Sequence, residues 1–352
     1  MRLIKQLGAF GITFFLTFLL LEGYLRLAEI ESVSVSDFDP NIGRIMMPNR
    51  NFAYYNENFT IGSYNEYGYL GPAYPPQRSG RELRIALLGD SYVEGFQVQP
   101  RNHFRSIMEG LLQDTLVHAS VQVLNFGRSG FDLADSRAYD RLFVSDFDPD
   151  VMLYFLAVSD LEQSKDDPLL PHWYLKDGQL RLSDDFRQSG ALQTFQRVKH
   201  GLHHSSILQM LNNDMKLVKA GEAPRIVLEK AATLWYPEMP SVPLDTQREI
   251  SALTLALIQD IGRNPGSVIV NRDTIPFPPA AQRAIRQAGI PFINVADTLG
   301  PLKQQGIDAI AWKATGTRGH WNHAGHQAVG HHLAKQLSLL IRNHRWQVST
   351  QP

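Results

Sequence analysis

The sequence contains no cysteine, which rules out a disulfide framework, a thiolate nucleophile and any cysteine-ligated zinc or iron–sulfur centre. It also lacks an excess of charge of one sign. Lys and Arg total 34 against 35 Asp and Glu, a formal net charge of −1, so no global field draws the chain to nucleic acid, which is not expected as a partner. Internal repeats and low-complexity tracts are missing as well. The absence of cysteine leaves an exported location open, because a domain of roughly 300 residues buries enough surface to do without covalent cross-links. What is present, 352 residues of which 43% are hydrophobic and 20% charged, has the make-up of a globular protein. That length holds one large domain plus an anchor, or two modest domains.

At the N-terminus, Arg2 and Lys5 precede an uncharged run from Gln6 to Leu21 that is rich in Phe and Leu, with Glu22 and Arg26 beyond. Residues 1–30 therefore read as a signal-anchor or transmembrane helix. The uncharged run is slightly short of the roughly 20 residues that span a bilayer. Gly23-Tyr24-Leu25 extend it if Glu22 faces protein or Arg26 snorkels. A cleaved signal peptide is the rival, though no small-x-small cleavage site comes after the run; a buried core helix is the third reading. Positive residues ahead of the run place the N-terminus in the cytoplasm and the body on the periplasmic or extracellular side.

Residues 31–82, rich in Asn, Tyr, Pro and Gly without a helical period, read as a strand-and-turn collar between anchor and main domain. From Arg84 the texture becomes an alternation of apolar runs and helical stretches. Strands are expected at Ile85–Leu88, Val121–Leu124, Val151–Leu156, Val268–Val270 and Pro291–Val295. Helices are expected at Phe104–Leu116, Leu133–Phe143, Gln247–Ile261 and Pro279–Ala288. Short buried strands with crossover helices predict a three-layer α/β domain, spanning 83–345, around a parallel sheet of about five strands. An insertion at 162–246, including a helical stretch Leu192–Leu217, interrupts the alternation as either a lid over the strand ends or a peripheral helix pair.

The segment Arg84–Phe96, RIALLGDSYVEGF, ends a buried strand at Gly89, turns through Asp90 and opens the next element with Ser91. Gly89 permits the tight turn, and the amides of an incipient helix face any anion formed beside Ser91. The plainer reading is that Asp90 or Ser91 caps a helix. The segment is not the G-x-S-x-G elbow of another hydrolase class, because Val93 stands where the second glycine belongs. Two further blocks give it company: Asn125-Phe126-Gly127-Arg128-Ser129-Gly130 after the second strand, and Gly319-His320-Trp321-Asn322-His323-Ala324-Gly325-His326 near the C-terminus.

With these three blocks in order, the sequence resembles the SGNH/GDSL hydrolases over about residues 83–340. The resemblance implies a flavodoxin-like SGNH hydrolase domain with Ser91 as nucleophile, Gly130 as an oxyanion-hole glycine and His320 as base, the last in a block similar to D-x-H-W-N. It calls for no metal or organic cofactor. Two departures stand out. Ser159, in Ala157-Val158-Ser159-Asp160, occupies the place of the family's oxyanion-hole Asn, and Thr317 and Arg318 occupy the place of the acid that normally precedes the base. Losing an oxyanion donor costs about 10²–10³ in rate, and losing the acid about 10⁴. Without a local acid, His320 is left to a Ser–His dyad held by a backbone carbonyl, or to an acid folded in from elsewhere such as Asp308 or Asp297. A nearby Arg318 would oppose the imidazolium.

His320, His323, His326, His331 and His332 also raise a metal reading, but no carboxylate accompanies them, and Asn322 is a natural N-cap for a helix through Ala324, Val329, Leu333 and Leu340. His323 and His326 are then surface or packing residues, and Trp321 either core or pocket lining. Arg128 points to a pocket mouth or to solvent. Asp90 and Asp160 are expected to bond nearby amides. Taken together, the expected function is a serine esterase acting on small acyl esters, acetyl among them, of a cell-envelope glycan. The alternatives are an O-acyltransferase of an envelope polysaccharide and a catalytically degenerate binding or assembly protein of the same fold.

Overall fold

The computed structural model describes residues 2–27, 36–54, 57–116, 119–163, 168–202, 205–208, 210–211 and 249–343. They fall into two compact units, one formed by residues 1–35 with 193–244 and the other by 36–192 with 245–352.

In the first unit, helix α1 runs from Arg2 to Leu27. Its stretch Gln6–Leu27, 22 residues, is long and apolar enough to cross a membrane; at 1.5 Å per residue it reaches the roughly 30 Å of a hydrocarbon core. The helix thus continues past Leu21, where the uncharged run stops. Glu22 can be carried within it because its carboxylate accepts from Arg26 Nε (2.7 Å), Ser205 Oγ (2.8 Å), Ser206 N (2.8 Å) and Ile207 N (3.1 Å). A buried charge with that many donors is compensated where an isolated one is not.

The second unit opens with two antiparallel hairpins, β1 (Ser36–Asp39) with β2 (Gly43–Met46), then β3 (Asn51–Tyr54) with β4 (Thr60–Ser63). Strand β5 (Glu82–Leu88) begins the α/β body and is followed by the short helix α2 (Ser91–Glu94), α3 (Phe104–Thr115), β6 (Ser120–Asn125), α4 (Leu133–Leu142) and β7 (Val151–Leu156). A hairpin of β8 (Trp173–Lys176) and β9 (Gln179–Leu182) comes next, and helix α5 (Gly190–Leu202) then starts here but belongs to the first unit from residue 193 on. The body resumes with α6 (Ala252–Ile261), β10 (Ser267–Asn271), α7 (Pro279–Gln287), β11 (Phe292–Asn294) and α8 (Ala296–Gln304). A small hairpin of β12 (Ala311–Trp312) and β13 (Thr317–Arg318) leads into the last helix, α9 (His323–Arg342). Of the expected insertion, 164–167, 203–204, 209 and 212–246 lie outside the described residues, and with them the end of the helical stretch expected to reach Leu217.

The five strands pair in the order β11-β10-β7-β5-β6, every pair parallel. Numbered by position in the sheet's own chain order this is 2-1-3-4-5, the flavodoxin-like arrangement, whose first and third strands flank the topological switch point. Strands β5, β7 and β10 are buried at every residue, because helices cover both faces. The period of two sorts their side chains. Ala86 and Leu88 pack with Leu133, Ile258 and Ile285 of α4, α6 and α7, while Leu83, Ile85 and Leu87 pack with Phe104, Met108 and Leu333 of α3 and α9. The result is the three-layer α/β domain expected from the sequence, with every expected strand and helix of the body found within a few residues of its place. The first strand starts earlier, at Glu82.

Candidate active site

The loops at the carboxyl ends of β5, β6 and β7 hold the residues the sequence singles out. After β5, Asp90 caps α2 by accepting from Tyr92 N at 3.0 Å, which leaves Ser91 as the first helical residue. Its amide has no acceptor within the helix, and among the described residues it has no acceptor elsewhere. Cap and candidate nucleophile are therefore adjacent residues rather than rival readings of one.

His320 reaches this site from the other end of the chain, 229 residues away, and its Nε2 lies 2.7 Å from Ser91 Oγ. The loop that carries it is anchored on both sides. Asn322 caps α9 by accepting from Ala324 N and Gly325 N while donating to Asp308 O and Ala311 O. Trp312 Nε1 donates to His320 O at 3.0 Å. The Tyr92 ring stands 4.7 Å from the imidazole, and its hydroxyl donates to Gly319 O at 3.1 Å.

The far nitrogen of His320 is held by a carboxylate that the sequence reading did not single out. Glu57, in the connection between β3 and β4, has Oε2 2.9 Å and Oε1 3.0 Å from His320 Nδ1, and Oε1 also accepts from the His320 backbone amide at 2.8 Å. Tyr54 OH donates to Oε2 at 2.9 Å, and Thr315 Oγ1 donates to the Glu57 carbonyl at 2.9 Å. Burial works to raise the Glu57 carboxyl, but the hydrogen bonds from the His320 ring and amide and from Tyr54 outweigh it and hold the carboxyl below its usual range. An ionised Glu57 offers only acceptors, so Nδ1 carries the imidazole proton and Nε2 presents its lone pair to Ser91. Of the two readings left open for His320, a dyad or an acid folded in from elsewhere, the contact corresponds to the second, with a residue other than the two named. Neither Asp308 nor Asp297 takes the place: Asp308 pairs with Arg318, and Asp297 is exposed on α8. Arg318 directs its charge to that exposed pair rather than to His320.

Gly130 sits at the end of the loop after β6 with a φ of +85°, a left-handed conformation that favours glycine. Its amide has no acceptor among the described residues, and the space where a side chain would begin is open. Ser159 follows the third strand of the body, β7. It is exposed in the helical turn Val158–Leu161, and its hydroxyl donates to Asp160 Oδ1 at 2.9 Å.

Beneath the serine lies a second charged group. Arg272, just past β10, donates to Asp90 Oδ2 at 2.5 Å and Asp160 Oδ2 at 3.1 Å and stacks over the Tyr92 ring at 4.2 Å. It ties together the loops that follow β5, β7 and β10. Burial pushes the Asp90 carboxyl up to about 6, against the pull of Arg272. A cavity of about 140 Å³ opens beside Tyr92 and Trp321, walled also by Arg272, Lys303 and Arg318.

Other sequence candidates take structural places. His326 is buried, with Nδ1 accepting from Phe104 N at 3.2 Å, and its ring packs on His103; His323 is exposed. Among the described residues no cluster of side chains is arranged to hold a metal ion. Trp321 is core. Arg128 is buried rather than at a pocket mouth, its guanidinium lying over Phe131 and Tyr139.

No protein-family model matches the chain, and no curated protein does. Similar solved structures include an alpha/beta hydrolase enzyme from the metagenome of Lake Arreo, Spain (14% identity over 75% of this chain and 98% of the other, TM-score 0.39). A two-domain esterase active on acetylated mannans matches at 13% identity over 77% of this chain and 53% of its own, with a TM-score of 0.41. An acetyl-xylooligosaccharide esterase from Geobacillus stearothermophilus matches at 14% identity over 74% of this chain and 96% of the other, with a TM-score of 0.38.

Proposed function

We propose that the protein is a serine ester hydrolase that works through an acyl-enzyme on Ser91. The observation that carries this is the continuous relay Ser91 Oγ to His320 Nε2 at 2.7 Å and His320 Nδ1 to Glu57 Oε2 at 2.9 Å. In this mechanism Ser91 Oγ attacks the ester carbonyl as its proton passes to Nε2. Glu57 keeps the proton on Nδ1 and stabilises the imidazolium. The amides of Ser91 and Gly130 donate to the oxyanion. His320 then hands the proton to the leaving alkoxide, and water, deprotonated by the same nitrogen, releases the acid.

The substrate class we propose is a short acyl ester, acetyl in particular, on a glycan of the cell envelope. The membrane-length helix α1 supports a body held at a membrane. The charge ahead of that helix supports an exported body. The reading of a degenerate member of the fold rested on the missing acid and on Ser159 in place of an Asn; the Glu57 contact speaks against the first of these. The test is labelling of the full chain in detergent with a fluorophosphonate, together with hydrolysis of p-nitrophenyl acetate. Labelling at Ser91 that is lost in Ser91→Ala, together with esterase activity, is expected. Equal hydrolysis by wild type and Ser91→Ala would overturn the reading.

A further inference from the structure

The loop that presents Gly130 is strapped to the nucleophile helix α2 at several points. Asn125 donates through Nδ2 to Val93 O at 2.8 Å and accepts from Gly127 N at 3.0 Å. Gly127 lies so close to α2 that a Cβ there would meet Glu94 N at 2.4 Å and Val93 C at 2.6 Å. Arg128 N donates to Gly89 O at 2.9 Å. These contacts fix the loop as far as Arg128. Beyond it, Ser129 is held by Glu94 alone among the α2 side chains.

Glu94 is the last residue of α2, one turn from Ser91, and is 1% exposed. Its Oε2 accepts from Ser129 N at 2.9 Å and from the Ser129 hydroxyl, while Oε1 accepts from Tyr64 OH at 2.6 Å. The buried Arg128 adds positive charge nearby. A carboxyl so deeply buried is expensive, and an apolar residue of similar volume commonly serves stability as well or better. What an apolar residue would lack is the grip on Ser129. With that amide and hydroxyl turned toward Glu94, the chain enters Gly130 at φ +85° with the Gly130 amide left unpartnered among the described residues.

We propose that Glu94 is a positioning residue for ester hydrolysis, its carboxylate holding Ser129 so that the neighbouring Gly130 amide is presented to the oxyanion formed at Ser91. The inference rests on the ester-hydrolase reading above. Glu94 acts on the stabilisation of the tetrahedral intermediate and leaves the Ser91–His320–Glu57 relay untouched, which separates its effect from that of a triad residue.

The test uses the full chain in detergent with p-nitrophenyl acetate. Glu94→Leu keeps the bulk and removes both acceptors; kcat is expected to fall ~10–10²-fold, less than or equal to the loss of a whole oxyanion donor. KM should stay within about twofold and the acid-side pKa of the kcat/KM profile should not move, since binding and the base are unaltered. Glu94→Gln, which retains an oxygen for Ser129, is expected to recover most of the loss. Unchanged kcat in Glu94→Leu, or Glu94→Gln no better than Glu94→Leu, overturns the inference. If Glu94→Leu does not fold, Tyr64→Phe and Ser129→Ala decide it: a several-fold loss in kcat at constant KM supports it, and wild-type kcat in both overturns it. Should Ser91→Ala prove as active as wild type, the hydrolase reading falls and takes this inference with it. Activity that depends on Ser91 but not on Glu94 or its partners leaves that reading intact and removes only this one.

Discussion

The carboxyl ends of the parallel sheet and the β3–β4 hairpin of the collar contribute to the same site by opposite means. Ser91 follows a strand buried at all its residues, and the strand–turn–helix transition displays it wherever the sheet is placed. Glu57 follows a half-exposed strand of four residues in a two-stranded hairpin and is brought to His320 across 263 residues of sequence. The sheet offers positions that any such fold supplies; the collar offers a carboxylate that only docking of the hairpin on the body makes useful. Tyr64, just past β4, repeats the lesson by reaching Glu94. A segment that reads as a connector carries the carboxylate bonded to His320 and the hydroxyl bonded to Glu94.

The largest effect that would break this comparison is on the sheet side. Ser91→Ala is expected to lose ~10⁶-fold in kcat, as removal of the nucleophile does in serine hydrolases, measured as steady-state ester hydrolysis. Glu57→Gln tests the collar side directly, with an expected fall of ~10⁴-fold in kcat, the loss seen when the acid of a triad becomes an amide. Near-wild-type activity would make the collar a connector after all.

Gly127→Ala sharpens the sheet side by testing how closely α2 and the loop after β6 must pack. The added methyl meets backbone atoms of α2, and overpacking of that kind costs about 1–3 kcal/mol, read as a lower Tm. His103→Asn tests the body's own response to acid. Burial depresses the His103 imidazole to about 3 from its ordinary 6.5, and burial also depresses His326 well below its ordinary value. Both are neutral when folded, so their stabilisation is complete above about pH 6.5 and is lost progressively as pH falls toward 3. Asn keeps the cap on α3 and cannot titrate, so the variant should show a shallower fall in Tm between pH 6.5 and 4 than the wild type. The smallest effect is expected of Arg318→Ala. Its guanidinium is 63% exposed and paired with Asp308, and exposed pairs contribute about 0–1 kcal/mol; kcat/KM should change less than twofold. A large change would return the acid–base problem to the segment before His320.

Much of the body was legible because its determinants are local. Apolar runs bounded by turns mark strands with helices on both faces, and Asp90 and Asn322 cap the helices next to them; Ser91, Gly130 and His320 were singled out by the resemblance that three blocks in order carry. Ser159 could be flagged as a departure from the resemblance, but that its hydroxyl donates to the neighbouring Asp160 is visible only in the structure. Glu57 gave no such signal. It sits in a Tyr- and Asn-rich turn where carboxylates are common and no spacing links it to a histidine.

What the sequence by itself determined is the membrane-length helix, the three-layer α/β body and the serine and histidine at opposite ends of it, since these depend on hydrophobic period, turn chemistry and caps acting over a few residues. The tertiary structure alone decided which acid orients His320, where Arg318 and Arg128 direct their charge, and what Glu94 holds. Those outcomes depend on burial and on distances of about 3 Å between residues far apart in the chain, and hydrogen bonds at that range form only once the hairpin and the sheet have packed together.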